Sequence, residues 1–193
     1  ANENQAKFKM KVTNKTNDYI LVKFTECKFV GNSAEMKPTE KDLLLGPNSS
    51  DFRVVDVFGS FNSTEHAQFV LDGIYKISAK GNAIKAEDIK LPLASVDYSA
   101  GPFNLTNTEV YKQTDATKLK FKASYTGSKM GVLFTNKATV LMPDNNEHLC
   151  DQPSGLFKSL PIIIFQNGQN ENFEVDWKQK EGGKAMDMQK VSM

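Results

Sequence analysis

Between Lys7 and Thr13 the chain reads Lys-Phe-Lys-Met-Lys-Val-Thr, a charge and an apolar residue by turns. Successive side chains of an extended strand point to opposite faces, so Phe8, Met10 and Val12 share one face and the lysines the other. A helix would wind the same residues around its whole circumference and bury lysine with phenylalanine. The device recurs from Thr117 to Thr126, with Leu119, Phe121, Ala123 and Tyr125 inward and Lys118, Lys120 and Lys122 outward. Phe173, Val175 and Trp177 repeat it near the end. These patterns predict half-buried antiparallel strands, with Phe8, Met10, Val12, Leu119, Phe121, Phe173, Val175 and Trp177 in a core and the interleaved lysines in water.

Further apolar, β-branched runs predict strands over 19–25, 28–30, 51–58, 68–71, 74–79, 83–91, 109–112, 131–135, 137–142 and 160–166. Turn-forming stretches separate them, among them Asn14 to Asp18, Gly46-Pro47-Asn48, Asp72-Gly73 and Gly101-Pro102. Helix signals are confined to a short stretch over 86–91, stopped by Pro92, and one capped turn over 62–67. The expectation is an all-β, antiparallel β-sandwich or flattened barrel of ten or more short strands. It is a single domain over 1–177, followed by a polar, methionine-containing tail over 178–193. No internal repeat is legible.

Composition excludes several functions. The chain holds 23 lysines but one arginine, Arg53, and its formal net charge is +1. Arginine forks onto phosphate and stacks on bases, so a chain nearly without it is not built to recognise nucleic acid. No apolar run reaches the roughly 18 to 20 residues of a membrane helix. The first residue is Ala1, and no positive-then-apolar leader precedes it, which suits a mature secreted or periplasmic protein. Four glycosylation sequons, at Asn14, Asn48, Asn62 and Asn104, lie beside turn residues and agree with secretion.

Two cysteines, Cys27 and Cys150, border ordered segments and sit in no C-x-x-C pattern. A Cys27–Cys150 disulfide is expected, closing a large loop worth about 4–5 kcal/mol in the chain-entropy model. Catalytic motifs are missing. His66 and His148 are the two bases near neutral pH, and no nucleophile elbow accompanies them. Asp144, Glu147, His148 and Asp151 crowd together, yet without the spacing of a calcium loop or a zinc signature. They read as a polar loop and a candidate interaction surface. No catalytic residue, metal ligand or cofactor is assigned.

The function expected is a secreted or periplasmic, non-enzymatic binding protein. It would hold a protein or glycan partner through surface loops or a sheet edge. Tyr19, Tyr98, Tyr111 and Tyr125 could serve as sugar platforms. One rival is a membrane-binding or pore-forming β protein, because the strand over 117–126 has the length and alternation of a barrel strand. The other is an extracytoplasmic hydrolase with a site built from loops.

Overall fold

The computed structural model describes residues 4–31, 34–61, 67–78, 97–142, 145–151 and 160–178, with Lys80 and Ile84 besides. Among the described residues strand accounts for 62% and helix for 4%, an all-β arrangement with 16 strands in antiparallel sheets. Contacts gather into two compact units, Ala1–Ala83 and Ile84–Met193. The stretches 62–66 and 85–91 and the tail over 179–193, on which helical, strand and tail expectations fall, lie outside the described residues.

Unit 1 contains β1 (Gln5–Thr13), β2 (Tyr19–Val22), β3 (Lys28–Gly31), β4 (Ala34–Met36), β5 (Leu43–Leu45), β6 (Ser50–Phe58), β7 (Ala67–Val70) and β8 (Ile74–Ile77). β1 pairs with β6 along its length, from Gln5 opposite Phe58 to Thr13 opposite Ser50. β2 lies between β5 and β8, and β3 between β4 and β7. A 3₁₀ turn, Phe24–Glu26, interrupts the strand predicted over 19–25. The reason is burial: Phe24 is fully buried with Val22, Cys27, Leu43, Val55 and Val57, and the kink swings its ring into that cluster. Gly73 closes the kink from β8, with its carbonyl accepting Lys23 N–H at 3.0 Å. Its φ is +72°, and a Cβ there would meet Lys23 O at 2.9 Å, so only glycine fits.

The turn after β1 is bolted from inside. Asn14 is 3% exposed. Its Nδ2 donates to Asp18 O at 2.7 Å and Gly46 O at 2.8 Å, and its Oδ1 accepts from Thr16 N and Oγ1. Buried polar groups need such partners. The Asn14 sequon is therefore a structural turn in the folded chain, not an accessible surface acceptor.

Unit 2 contains β9 (Asp97–Ala100), β10 (Phe103–Lys112), β11 (Ala116–Tyr125), β12 (Gly131–Phe134), β13 (Thr139–Leu141), β14 (Glu147–Leu149), β15 (Ile162–Phe165) and β16 (Asn170–Lys178). One sheet runs β16-β11-β10-β9; β12 pairs with β15, and β13 with β14. A second 3₁₀ turn, Thr135–Lys137, separates β12 from β13. A bulge interrupts β10 between Asn107 and Glu109. The buried Asn107 closes it by donating to Lys120 O at 3.1 Å.

The two units share one pairing scheme. Thr13 opposite Ser50 corresponds to Ser124 opposite Asn170, and Gln5 opposite Phe58 to Ala116 opposite Lys178. Ile20 opposite Leu45 corresponds to Gly131 opposite Phe165. The Thr39 N–H bond to Asp56 O is matched by Asp151 N–H to Asp176 O. Thus β1 to β6 repeat as β11 to β16, each with a 3₁₀ kink between its second and third strand. They differ in what is added: β7 and β8 flank the kinked strand of unit 1, whereas β9 and β10 extend the long pair of unit 2.

Leu119, Phe121, Val175 and Trp177 are buried as expected, in one cluster with Val140 and Phe165. Phe8, Met10 and Val12 are only half-buried, and opposite Met10 and Val12 the β6 partners on the same face are the charged Arg53 and Asp51. Phe173 is also half-buried, its ring stacked on Phe121 at 5.2 Å. Lys7, Lys9, Lys11, Lys120 and Lys122 are exposed, and Lys118 is half-buried beside Glu174 at 3.3 Å. Phe121→Ala is expected to cost about 3–5 kcal/mol. Its register equivalent Met10→Ala should cost less than half as much. Chemical denaturation of both variants checks the contrast.

Candidate functional site

The expected disulfide is not formed, and the reason is local to each unit. Cys27 belongs to the unit 1 core, where its thiol hydrogen-bonds to Asp72 O at 3.1 Å and Lys23 O at 3.5 Å. Cys150 belongs to the unit 2 core and donates to Thr135 O at 3.1 Å. Each thiol thus ties its own kink to neighbouring backbone, and burial pushes both pKa values up, away from the reactive thiolate. A thiol-specific reagent should label neither cysteine in the folded chain and both in denaturant, with no mass change on prior reduction.

The residues expected to form one polar loop are divided. Asp144 lies outside the described residues. Glu147 and His148 belong to β14, opposite Leu141 and Val140, with Glu147 exposed and His148 half-buried. Asp151 staples the chain to β16: its N–H bonds to Asp176 O at 2.8 Å and its Oδ2 accepts Lys178 N–H at 2.6 Å. Among the described residues no group of three His, Cys, Asp or Glu could hold a metal ion. His66 is outside the described residues. No helix is long and apolar enough to cross a membrane among them.

A charged cluster missed in the sequence surrounds the unit 1 kink. Tyr75 Oη donates to Glu26 Oε2 at 2.5 Å, Lys23 Nζ stands 3.4 Å from Glu26 Oε1, and the same ammonium lies 5.3 Å from the Tyr75 ring centre. The tyrosine hydrogen bond, helped by Lys23, holds the Glu26 pKa below its ordinary value, and the same bond raises that of Tyr75. Both shifts lead away from neutrality, opposite to what general acid–base work asks. The cluster acts as a clamp between β8 and the kink.

The most informative surface is the outward face of β1 and β6. Opposite Lys11, Lys9 and Gln5, β6 presents Phe52, Val54 and Phe58, which are 49%, 41% and 57% exposed, and between the last two Asp56 stands opposite Lys7 in an ion pair of 3.4 Å. Lys9 Nζ lies 4.6 Å and Lys11 Nζ 5.4 Å from the Phe52 ring centre, a cation–π arrangement on an open surface. At the matched positions, unit 2 has Asn172, Glu174 and Lys178, with Glu174 bonded to Lys118. One backbone scheme therefore carries a fully polar face in unit 2 and an apolar, lysine-rimmed face in unit 1. The alternation on 51–58 contained this signal, but it names which residues alternate and not which of two apolar sets faces water.

Comparison with known proteins finds no match among family models, curated proteins or solved structures.

Replacing Tyr75 by phenylalanine should raise the Glu26 pKa toward the ordinary carboxylate range. A depressed carboxylate stabilises the fold above its unfolded pKa and loses that contribution as pH falls through the folded value. The variant should accordingly show a shallower loss of stability on acidification. Carboxyl-carbon NMR titration of Glu26 measures the shift directly; an unchanged midpoint would remove Tyr75 as its cause.

Proposed function

We propose that this protein is a non-enzymatic binding protein that holds a protein partner against the outward face of β1 and β6. The observation carrying this reading is the stripe Phe52, Val54 and Phe58, exposed where unit 2 is polar at every matched position. Clustered apolar side chains rimmed by charge mark interaction surfaces, whereas single exposed ones do not. Aromatic rings supply most of the energy in such contacts, and Lys9 and Lys11 suit a partner segment that is acidic at its margin, Lys7 being paired with Asp56. The lowered Glu26 pKa and the raised Tyr75 pKa support a non-catalytic reading, because both shifts lead away from neutrality.

The proposal keeps the secreted or periplasmic location, although the disulfide argument for it is gone. Two buried thiols suit a reducing compartment equally well. A lipid surface is the rival occupant, because three apolar residues beside three lysines also match an anionic membrane interface.

The double substitution Phe52→Asn with Phe58→Asn should alter stability by no more than about 0.5 kcal/mol, as both rings already face water. It should reduce partner capture at least tenfold. The paired substitution His66→Gln with His148→Gln should leave capture unchanged. Co-sedimentation with anionic vesicles decides between occupants: vesicle binding lost in the phenylalanine variant would replace the protein partner by a membrane. Capture that survives the double substitution would remove this face from the binding surface.

A further inference from the structure

The β1–β6 face carries uncompensated charge as well as apolar surface, and the two together describe the shape of what covers it. We infer that the partner element on this face is an acidic amphipathic helix, which rests on the binding reading above and names its occupant.

Charge is divided unevenly along the face. Lys7 is neutralised by Asp56 at 3.4 Å, and Gln5 Nε2 donates to the same carboxylate at 2.8 Å. Lys9 and Lys11 have no carboxylate partner among the described residues, and both ammonium groups lie over the Phe52 ring instead. Arg53 and Asp51 point to the opposite face, where they pair with each other at 2.9 Å. The end of the face that carries Phe52 and Val54 is therefore cationic, and the end that carries Phe58 is neutral.

The repeated pairing scheme shows which groups would answer those lysines. Lys9 corresponds to Lys120 of unit 2, which Glu109 meets at 2.6 Å. Val54 corresponds to Glu174, which meets Lys118 at 3.3 Å. Unit 1 thus keeps the lysine ladder but places an apolar side chain where unit 2 supplies an acid. An aromatic ring orients an ammonium group without cancelling its charge, so the counter-charge is left to whatever binds. A second copy of this chain would bring the same unanswered lysines against themselves, which disfavours self-association through this face.

The layout of the groups selects a helix over an extended segment. Phe52, Val54 and Phe58 stand in one row on β6, and Lys9 and Lys11 in a neighbouring row on β1, about 4.8 Å away. An extended segment laid on a sheet face turns a single row of side chains toward it and finds no backbone group there for its own N–H and C=O. A helix satisfies its backbone internally, is about 10 Å wide, and presents an apolar stripe with a charged flank, so it covers both rows at once. The spacing agrees. Lys9 and Lys11, like Phe52 and Val54, are about 7 Å apart along the strand, close to the roughly 6 Å between residues i and i+4 of a helix. From Phe52 to Phe58 is about 20 Å, the length of roughly 13 helical residues. The acidic flank belongs at the Phe52 end, opposite Lys9 and Lys11.

The probe is a labelled peptide of about 18 residues, long enough to form a helix, with a leucine stripe and glutamates along one flank. Reference peptides are the same residues reordered around prolines, which cannot form a helix, and the same helix with lysine in place of glutamate. Fluorescence anisotropy with the full chain should show saturable binding of the acidic helix, roughly tenfold tighter than of either reference. Lys9→Glu with Lys11→Glu should reverse the preference in favour of the lysine helix, which non-specific adhesion to the phenylalanines would not do. In the wild-type chain, amide shifts on adding the acidic helix should centre on β1 and β6, and they decide the matter if the charge-reversed variant does not fold. Absence of saturable binding, equal binding of the acidic and lysine helices, or shifts elsewhere in the chain would overturn the inference. A proline peptide that binds as tightly, and loses its binding in Phe52→Asn with Phe58→Asn, would overturn the helix while leaving the face a binding surface. An acidic helix that binds this phenylalanine variant unchanged would remove the face itself. Binding of anionic vesicles in place of the acidic helix, or a wild-type dimer that the phenylalanine variant dissolves, would also overturn the helix as occupant.

Discussion

The pairing register of the two long strand pairs is the constraint on which the rest depends. β1 with β6 and β11 with β16 each extend over nine opposed positions, and each puts one apolar set inward. Because side chains alternate with period two, a slip of one residue would turn Lys118, Lys120 and Lys122 into the unit 2 core, where Leu119, Phe121 and Ala123 now lie at 3% exposure or less. Burying even one unpaired ammonium costs several kcal/mol after relaxation. The lysines thus specify the fold by what they forbid. Their cross-strand ion pairs, such as Lys118 with Glu174, are largely exposed and add little beyond that.

With the long pairs fixed, the shorter strands follow from how each unit turns its second strand back over the core. Both units break at a 3₁₀ turn, and in both a buried thiol hydrogen-bonds to a carbonyl beside it. In unit 1 the thiol is Cys27, inside the kinked segment. In unit 2 it is Cys150, arriving after β14. Cysteine suits either place as a small apolar group with a weak donor. The same chemistry solves one packing problem twice from different points in the chain, and both thiols are free.

How far the sequence could be read depended on segment length and on partners. Alternation over six or more residues predicted β1, β11 and β16 and their inward faces, and the run over 51–58 predicted β6 as a strand with no face assigned. The strands missed, β4, β5, β9 and β14, have three or four residues each, too few for a period to register. Glu147-His148-Leu149 read as loop because polarity decided where pairing with β13 should have. The repeat was hidden for another reason. Matched positions retain which side faces the core but not which residue fills it: Met10 answers to Phe121, Val57 to Trp177 and Ala6 to Thr117. Cores accept such exchanges when total volume is redistributed, so topology persists where residue identity does not. Half-burial of Phe8 was also beyond reach, since alternation says which face points inward and not whether a neighbouring strand covers it.

The two units then differ where the shared scheme leaves freedom, namely on outward faces. Unit 1 leaves Phe52, Val54 and Phe58 uncovered on the face that carries its lysines. Unit 2 carries a polar ladder at the matched positions. The unit 1 stripe contributes nothing to the core of its own unit, and it exposes apolar surface that folding alone gives no reason to keep. A chain selected only to fold could carry the unit 2 ladder in both units without disturbing a single register. Apolar groups kept outward on the unit 1 copy, at positions that are polar on the unit 2 copy, are what the proposed contact through the β1–β6 face requires.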